Sequence, residues 1–308
     1  MAGSESGHQG SIMTQLRRKQ LNRGLVFLLF TLPAFAAILV SVEIPFLMSV
    51  ASSFTKWNGL DKAQTFIGLQ NYKELFLDDP DMWKAFGFTL RLTLGSVIAV
   101  NLCALLLAVV LDGDIKGKNV LRAAFYVPNI ISLIIIGYIW RFIFSAGFDS
   151  FYQKTGWEIF MLSWLGDVNI IYFSVLLVSL WHSLGFYLVV YLAGLQTVPR
   201  DLIEASMIDG ANRTKRFFHI TLPLIMPSIT VCVFHSLSNG LKAFDVIFSL
   251  TNGGPGNTTT TIALDIYRTA FVINRFGYGT AKSVVLFLMI LILSIIQVRV
   301  FKQREVEV

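Results

Sequence analysis

The sequence has little charge and little cysteine, and both shortages exclude classes of protein. Only 14% of its 308 residues are Asp, Glu, Lys or Arg, whereas about a quarter of a soluble domain is charged. The two cysteines, Cys103 and Cys232, lie inside apolar runs without a CxxC spacing, which argues against a metal site, a redox pair or a disulfide framework. With 55% hydrophobic residues, the composition predicts an integral membrane protein.

Motifs for nucleotide binding and catalysis are also missing. The sequence has no GxxxxGK[ST] loop, so this chain cannot hold ATP phosphates in that manner. His182, His219 and His235 lack metal-ligand spacing, and no nucleophile, base and orienting residue stand together, which argues against a membrane enzyme. The formal charge of +6 comes from basic residues beside apolar runs, and membrane orientation explains it better than nucleic-acid binding.

Six apolar stretches are each about as long as a helix needs to cross a bilayer. They lack the strict alternation of barrel strands, so an all-α membrane protein with six transmembrane helices is expected. The predicted spans are Leu25–Ala51, Leu90–Leu111, Ala123–Phe144, Ile170–Gln196, Leu224–Leu250 and Ala281–Phe301.

Lysine and arginine accumulate on cytoplasmic loops, and their placement here is consistent at every connection. The basic positions are Arg17, Arg18, Lys19, Arg23, Lys116, Lys118, Arg122, Arg200, Arg213, Lys215, Arg216, Arg299, Lys302 and Arg304. The loops around Asp79 and around Glu158 are acidic and are expected outside. Both termini are therefore predicted to be cytoplasmic.

The chain divides into a cytoplasmic tail, residues 1–23, and a transmembrane domain, residues 24–308. Within the tail, Ser11–Asn22 places Leu16 and Leu21 beside basic residues. This pattern is compatible with a short interfacial helix on the inner leaflet. A basic tail that only enforces topology is an equally good interpretation.

A polar loop, residues 197–223, separates the fourth and fifth apolar stretches. Pro199 interrupts the fourth helix, Asp201 is expected to cap a short helix, and Gly210 is expected to end it. The loop lies on the predicted cytoplasmic side, between two segments that cross the membrane.

Within this short helix, Ala205 and Ser206 are small and would let a partner approach closely. Glu204 and Asp209 offer carboxylates for charge-assisted contacts. The pattern predicts a docking helix, and a solvated connector is the alternative.

The loop resembles the EAA loop of binding-protein-dependent ABC importer permeases. The matching residues are Glu204, Ala205, Ser206, Gly210, Ile220, Leu222 and Pro223. Ser206 stands where that pattern most often has a second alanine, and the adjoining Asp209 and Ala211 also fit. Further segments resemble the sugar-uptake branch and sample most of the chain: FIGLQNY, DDPDMWKAF, YVPNIIS, AGLQTVP and KAFDVIFSLTNGGPGNTTT.

The resemblance implies a type I ABC importer permease fold and a multi-pass subunit of a carbohydrate importer in a bacterial or archaeal cytoplasmic membrane. It implies a second homologous permease, two ATPase subunits that hold ATP and Mg, and an extracellular or periplasmic solute-binding protein as partners. The coupling residues would be Glu204, Ala205, Ser206, Asp209, Gly210 and Ala211. No cofactor is expected on this chain.

Polar and aromatic residues in the fourth and fifth spans are candidates for a substrate path. They are Trp181, His182, Tyr187, Asn239, Lys242 and Asp245. A sugar needs aromatic faces and hydrogen-bonding groups, which this set supplies. Interhelical packing is the competing interpretation for each residue. Lys242 and Asp245 stand three residues apart, so an ion pair between them on one helical face is a further interpretation.

Two outward segments are candidates for contact with a solute-binding protein. One is Thr55–Trp83, and the other contains Asn252, Gly253, Gly254, Pro255 and Asn257. The glycines and proline predict a defined turn, with Asn257 and neighbouring threonines presenting hydrogen-bonding groups. A plain turn before the sixth span is the alternative.

Two other functions remain open from the sequence. One is an ion-coupled secondary transporter of small solutes, although the charged residues inside the spans lie near their ends rather than at mid-membrane. The other is an ABC permease for a non-sugar solute such as a glycerol phosphodiester.

Overall fold

The computed structural model describes residues 26–303. The predicted tail, residues 1–23, lies outside the described residues. The helices in chain order are α1 Val26–Ser52, α2 Gln70–Leu77, α3 Pro80–Leu111, α4 Lys118–Ile130, α5 Leu133–Thr155, α6 Ile171–Gln196, α7 Arg200–Ile208, α8 Arg213–Leu224, α9 Met226–Leu241, α10 Ile262–Tyr267 and α11 Phe276–Lys302. Short helical segments also occur at Glu158–Met161 and Ile247–Thr251, and α10 continues into a third at Arg268–Val272. Five of them, α1, α3, α5, α6 and α11, are long and apolar enough to cross a membrane, and α8 with α9 makes a sixth, bent span.

The sixth span is bent by 69° between α8 and α9. Ile225 sits at the bend with φ −91° and ψ 8°, between Pro223 and Pro227. Each proline lacks a backbone donor, so the helical hydrogen bonds are interrupted here. The predicted extent Leu224–Leu250 is therefore wrong: the span begins earlier, bends, and ends at Leu241.

The predicted third span, Ala123–Phe144, is also wrong in extent. The chain leaves the helix at Ile131, which is extended with ψ 139°, and α5 then runs on to Thr155. Apolar residues continue across the break, so composition alone cannot show it. Pro128, inside α4, is the local signal for the interruption.

Outside the spans, a short antiparallel hairpin pairs Thr55 with Phe66 and Lys56 with Thr65. The helix α3 begins at Pro80, earlier than predicted, because Asp79 caps it: Oδ1 accepts a hydrogen bond of 2.9 Å from the Met82 backbone N–H. These elements extend the structure beyond the predicted outer membrane surface.

The core lies where α3, α6 and α9 pack together. On α3, Ala104 and Ala108 are fully buried and stand one turn apart, so their small side chains let the neighbouring backbone approach. On α6, a Cβ at Gly185 would clash with the backbone of Phe125 and Tyr126 on α4. These close contacts fix the helices around the polar cavity described below.

Candidate functional site

The polar loop contains the expected short helix, α7, which ends at Ile208. Gly210 follows with φ +78°, a left-handed conformation that favours glycine. Glu204 and Ala205 are exposed, and Ile208 is 88% exposed. The loop therefore presents a carboxylate, a small residue and a large apolar side chain to its surroundings.

Two details of the prediction for this loop are wrong. Asp201 lies in the first turn of α7 and Pro199 occupies the N-cap position, without a side-chain cap. Ser206 is 6% exposed, and its hydroxyl donates to the Ile203 carbonyl at 2.7 Å. Ser206 therefore faces the chain itself and does not keep the outward surface small, because α7 turns that position inward.

The end of the loop is held by backbone and cap hydrogen bonds. The Ala211 backbone N–H donates to the Ser206 carbonyl at 2.9 Å. Asn212 then caps α8, its Oδ1 accepting from the Lys215 N–H at 2.8 Å. These bonds close the end of α7 and the start of α8, the cytoplasmic arm of the bent span, and the four residues 209–212 connect the two helices.

A cavity of about 280 Å³ lies among α3, α6, α9 and the segment after α9. It is lined by five of the six substrate-path candidates: His182, Tyr187, Asn239, Lys242 and Asp245. Lys242 and Asp245 are the formally charged residues among those that line it, and they sum to zero. The cavity is thus a largely neutral polar site.

Hydrogen bonds fix several groups at the cavity wall. Tyr187 Oη lies 3.1 Å from His235 Nδ1, and Asn239 Nδ2 lies 3.3 Å from both ring nitrogens of His235. His182 Nε2 lies 3.2 Å from the Ile131 carbonyl, at the break between α4 and α5. Packing and hydrogen bonding therefore involve the same residues that face the cavity.

The expectation for the Lys242–Asp245 pair needs correction, whereas the candidacy of Trp181 for the substrate path stays a prediction. Trp181 does not line this cavity; its ring packs edge-on against Trp140, with centroids 5.6 Å apart. Lys242 follows the last residue of α9, and residues 243 and 244 are not helical, so Lys242 and Asp245 do not share a helical face. They form no ion pair within residues 26–303.

A second polar network beside the cavity was not predicted. Tyr191 Oη donates to Asn101 Oδ1 at 2.6 Å, and Asn101 Nδ2 donates to Ser236 Oγ at 3.0 Å. It links α6, α3 and α9 in the interior. Asn101 was the available signal, since an amide inside an apolar run needs a partner.

On the outer side, Arg268 organises the glycine-rich loop. Its Nη1 donates to Asn257 Oδ1 at 2.9 Å and its Nη2 to the Asn252 carbonyl at 2.6 Å. Gly253 is buried, whereas Asn252 and Asn257 are exposed. Gly254 and Pro255 lie between them and are partly buried.

Two neighbouring threonines of this loop are buried and do not lie on its surface. Thr259 and Thr260 are buried, and Thr259 Oγ1 donates to the Gly254 carbonyl at 2.7 Å. The prediction that the threonines present hydrogen-bonding groups outward is wrong for these two. The turn itself is defined, as predicted.

A cluster of charges around a buried lysine, also missed, closes the outer end. Lys282 is 3% exposed, and its Nζ lies 2.8 Å from Asp79 Oδ2 and 2.6 Å from Asp265 Oδ2. Tyr278 Oη donates to the same Asp79 oxygen at 2.7 Å. Lys282 thereby joins α3, α10 and α11. The sequence feature that could have revealed this cluster is a charged residue near the start of an apolar run.

The two carboxyl groups on Lys282 differ in pKa. Burial raises the pKa of Asp265 above its ordinary value, although Lys282 opposes it. Burial acts the same way on Asp79, but hydrogen bonds from Lys282, Tyr278 and the Met82 N–H hold the pKa of Asp79 below its ordinary value. The difference follows because Asp79 accepts hydrogen bonds from three donors, whereas Lys282 is the group that opposes the effect of burial on Asp265.

Nearby, Arg275 forms a two-point ion pair with Glu74 on α2, with N–O distances of 2.7 and 2.6 Å. The hydrogen bond from Arg275 is the main reason that the pKa of Glu74 lies below its ordinary value. This pair attaches α2 to the start of α11.

A comparison with known families adds to the geometry of the bent span, α7 and the polar cavity. A protein-family model described as "Binding-protein-dependent transport system inner membrane component" matches residues 100–305.

The chain belongs to this family of transport permeases. The predicted family and the multi-pass, inner-membrane location are thereby confirmed. The ion-coupled secondary transporter is not supported.

Curated relatives cover this permease almost from end to end. It is 40% identical to a probable starch degradation products transport system permease protein from Thermoanaerobacterium thermosulfurigenes, over 94% of this chain and 99% of the relative. It is 35% identical to a multiple sugar-binding transport system permease protein from Streptococcus mutans, over 94% and 99%. A trehalose/maltose transport system permease protein from the Thermococcus litoralis strain is 29% identical, over 96% and 99%.

A solved structure shows the same fold. The permease superposes with a TM-score of 0.79 on a chain of a bacterial ABC transporter involved in the import of alginate, at 21% identity, covering 92% of this chain and 98% of that one. The likeness confirms the predicted type I ABC importer permease fold.

Proposed function

We propose that this permease is a transmembrane subunit of an ATP-driven, binding-protein-dependent carbohydrate importer. The observation that carries the proposal is the end-to-end similarity to two permeases named for starch products and for multiple sugars, at 40% and 35% identity. Because the similarity extends over nearly the full length of the chain, it does not depend on one motif.

The cavity chemistry supports a carbohydrate as the cargo. Phe186, Phe244 and Tyr187 offer aromatic faces for CH groups, and Asn239 with His182 offers hydrogen-bonding groups. A glycerol phosphodiester would favour an excess of cations, whereas the lining has one lysine balanced by one aspartate. A neutral sugar fits this lining better than the non-sugar alternative.

The size of the cavity supports a path shared with a second homologous permease. At about 280 Å³ it is slightly smaller than the pockets of roughly 300 to 1,000 Å³ that usually enclose a small ligand. Asn239 and Lys242 are exposed, so this side of the cavity is open to a neighbouring chain. We assign half of the translocation pathway to this subunit.

The energy for transport is assigned to two partner ATPase subunits, which hold ATP and Mg. In the proposal, α7 docks in a groove on an ATPase: Glu204 makes a charge-assisted contact, Ala205 allows close approach, and the exposed Met207 and Ile208 fill the groove. Asp209, Gly210 and Ala211 hold the end of this helix. Closure of the ATPases would then move α7 and, through the capped junction, α8.

The outer glycine-rich loop is proposed to meet the loaded solute-binding protein. Arg268 holds Asn252 and Asn257 in position at its exposed edge. A preorganised loop loses little conformational entropy when it binds. The hairpin and α2, within Thr55–Trp83, are proposed to form the second part of this contact.

The decisive experiment is uptake by the complete transporter reconstituted in vesicles with its solute-binding protein. We expect sugar uptake that requires ATP and persists without any ion gradient. Glu204→Lys should reduce uptake at least tenfold while leaving subunit assembly in the membrane intact, and Glu158→Lys, an exposed acidic residue on the outer side, should act as the neutral control. Uptake driven by an ion gradient alone would overturn the proposal, as would normal sugar-stimulated hydrolysis and uptake in Glu204→Lys.

A further inference from the structure

A groove of about 670 Å³ opens on the predicted cytoplasmic half, between α3 and α8. One wall is an apolar stripe of α3 that includes Leu102 and Leu106, and the other contains Phe217 and Phe218 of α8. Leu102, Leu106 and Phe218 are 56%, 58% and 56% exposed. These large side chains are therefore available to an apolar molecule.

The length of the groove matches one leaflet of the membrane. Its α3 wall runs from Leu102 to Asp112, a rise of about 15 Å at the helical repeat. The hydrocarbon core of a bilayer is about 30 Å thick, so one leaflet contributes about half of that. An acyl chain lying along α3 would span the groove from the membrane surface to the bilayer middle.

Two arginines mark the surface end of the groove. Arg213 and Arg216 both line it and stand three apart at the start of α8, so they share a face. Within residues 26–303, neither guanidinium has a hydrogen bond or an ion pair. Asp112 is the acidic residue of the lining, so the cations exceed it by one.

We propose that this groove binds one anionic phospholipid of the inner leaflet, with its phosphate between Arg213 and Arg216 and one acyl chain against Leu102 and Leu106. Basic pockets between helices on the cytoplasmic side suit anionic head groups. A free phosphate would leave the apolar wall uncovered, and an apolar protein helix would leave both guanidiniums unpaired. A phospholipid satisfies both ends of the groove at once.

The site has a consequence for the cytoplasmic loop. The lipid would bridge α3, which is anchored in the core, and α8, which residues 209–212 connect to α7. Its binding would therefore restrain the arm on which the loop is mounted.

Native mass spectrometry of the complete, delipidated transporter tests the site with defined lipids. We expect phosphatidylglycerol to bind more tightly than phosphatidylcholine with the same chains. The double variant Arg213→Gln, Arg216→Gln should weaken phosphatidylglycerol binding about thirtyfold, and Lys at both positions should restore most of it, which a misfolded protein could not do. Lys215→Gln is the matched control, since Lys215 is exposed on the same helix but does not line the groove.

A second variant separates the lipid from other occupants. Leu106→Trp fills the apolar wall and should weaken binding of both lipids. Equal affinity for the two lipids in the unaltered transporter, or full phosphatidylglycerol binding by the double glutamine variant, would overturn the proposal. Loss of a partner subunit from Leu106→Trp with lipid binding unchanged would assign the groove to a protein helix, and competition by inorganic phosphate without any effect of Leu106→Trp would assign it to a free anion.

Discussion

The outer end of the permease and its cytoplasmic loop use charge in opposite ways. Outside, Lys282 is buried, Asp79 and Asp265 are mostly buried, and the three charges are satisfied by one another. On the loop, Glu204 and Asp209 are exposed and form no ion pair within residues 26–303. The outer charges hold elements of one chain together, whereas the loop charges are left for another molecule.

The largest expected effect comes from breaking the outer cluster. Lys282→Met leaves two carboxylates without their cation, and loss of one partner from a buried ion pair costs about 3–5 kcal/mol. We expect the free energy of unfolding, measured by denaturant titration in mixed micelles, to fall by that amount. Lys84→Met is the control, because Lys84 and Asp81 form an exposed pair. Equal stability of the two variants would contradict the contrast between the two regions.

A smaller loss is expected from the outer glycine-rich loop. Arg268→Gln removes the donors to Asn257 and to the Asn252 carbonyl, and hydrogen bonds from a charged group contribute about 1.5–3 kcal/mol. Since the site is partly exposed, we expect about 1–2 kcal/mol in stability and weaker binding of the loaded solute-binding protein. Titration of that protein onto the transporter measures the second effect. Unchanged affinity would remove this loop from the contact.

The Glu74–Arg275 pair predicts a small dependence of stability on pH. Glu74 has a lowered pKa in the folded state, so its stabilisation is present above its ordinary value of 4.5 and is lost as pH falls through the folded pKa. Because the pair is partly exposed, we expect less than about 1 kcal/mol.

Melting temperatures of the unaltered permease and of Glu74→Gln, compared between neutral pH and acid, measure this effect. The difference should shrink as the solution becomes acidic. A difference that stays constant with pH would show that the carboxylate charge is not the cause.

The smallest effect on stability is expected on the loop. Glu204→Gln and Asp209→Asn should change the free energy of unfolding by no more than about 0.5 kcal/mol, as exposed substitutions usually do. Sugar uptake should nevertheless fall, since the proposed contact is with an ATPase. Measuring both quantities on the same preparation sharpens the comparison: a large loss of stability in either variant would show that the loop charges serve this chain itself.

The family resemblance and the number of spans were readable from the sequence, because the EAA pattern and apolar length are local signals. Pro223 and Pro227 indicate a break in the helix at Ile225. The residues around them are apolar throughout, so the sequence pattern predicts one continuous span. The inward position of Ser206 has no such signal, since an EAA-type pattern does not report which side of α7 meets the chain. The sequence shows Lys282 as an ionisable residue near an apolar run. It does not show the partners of Lys282, because Asp79 and Asp265 lie in distant segments.

The 69° bend at Ile225 makes a lever of the cytoplasmic arm. The arm α8 has twelve residues, Arg213–Leu224, and is therefore about 18 Å long. A rotation of about 10° around the bend would displace its far end by about 3 Å, without any change in α9. A modest push at the surface is thus converted into a displacement the size of an atomic contact, and the membrane-embedded half of the span can remain in place as the fulcrum.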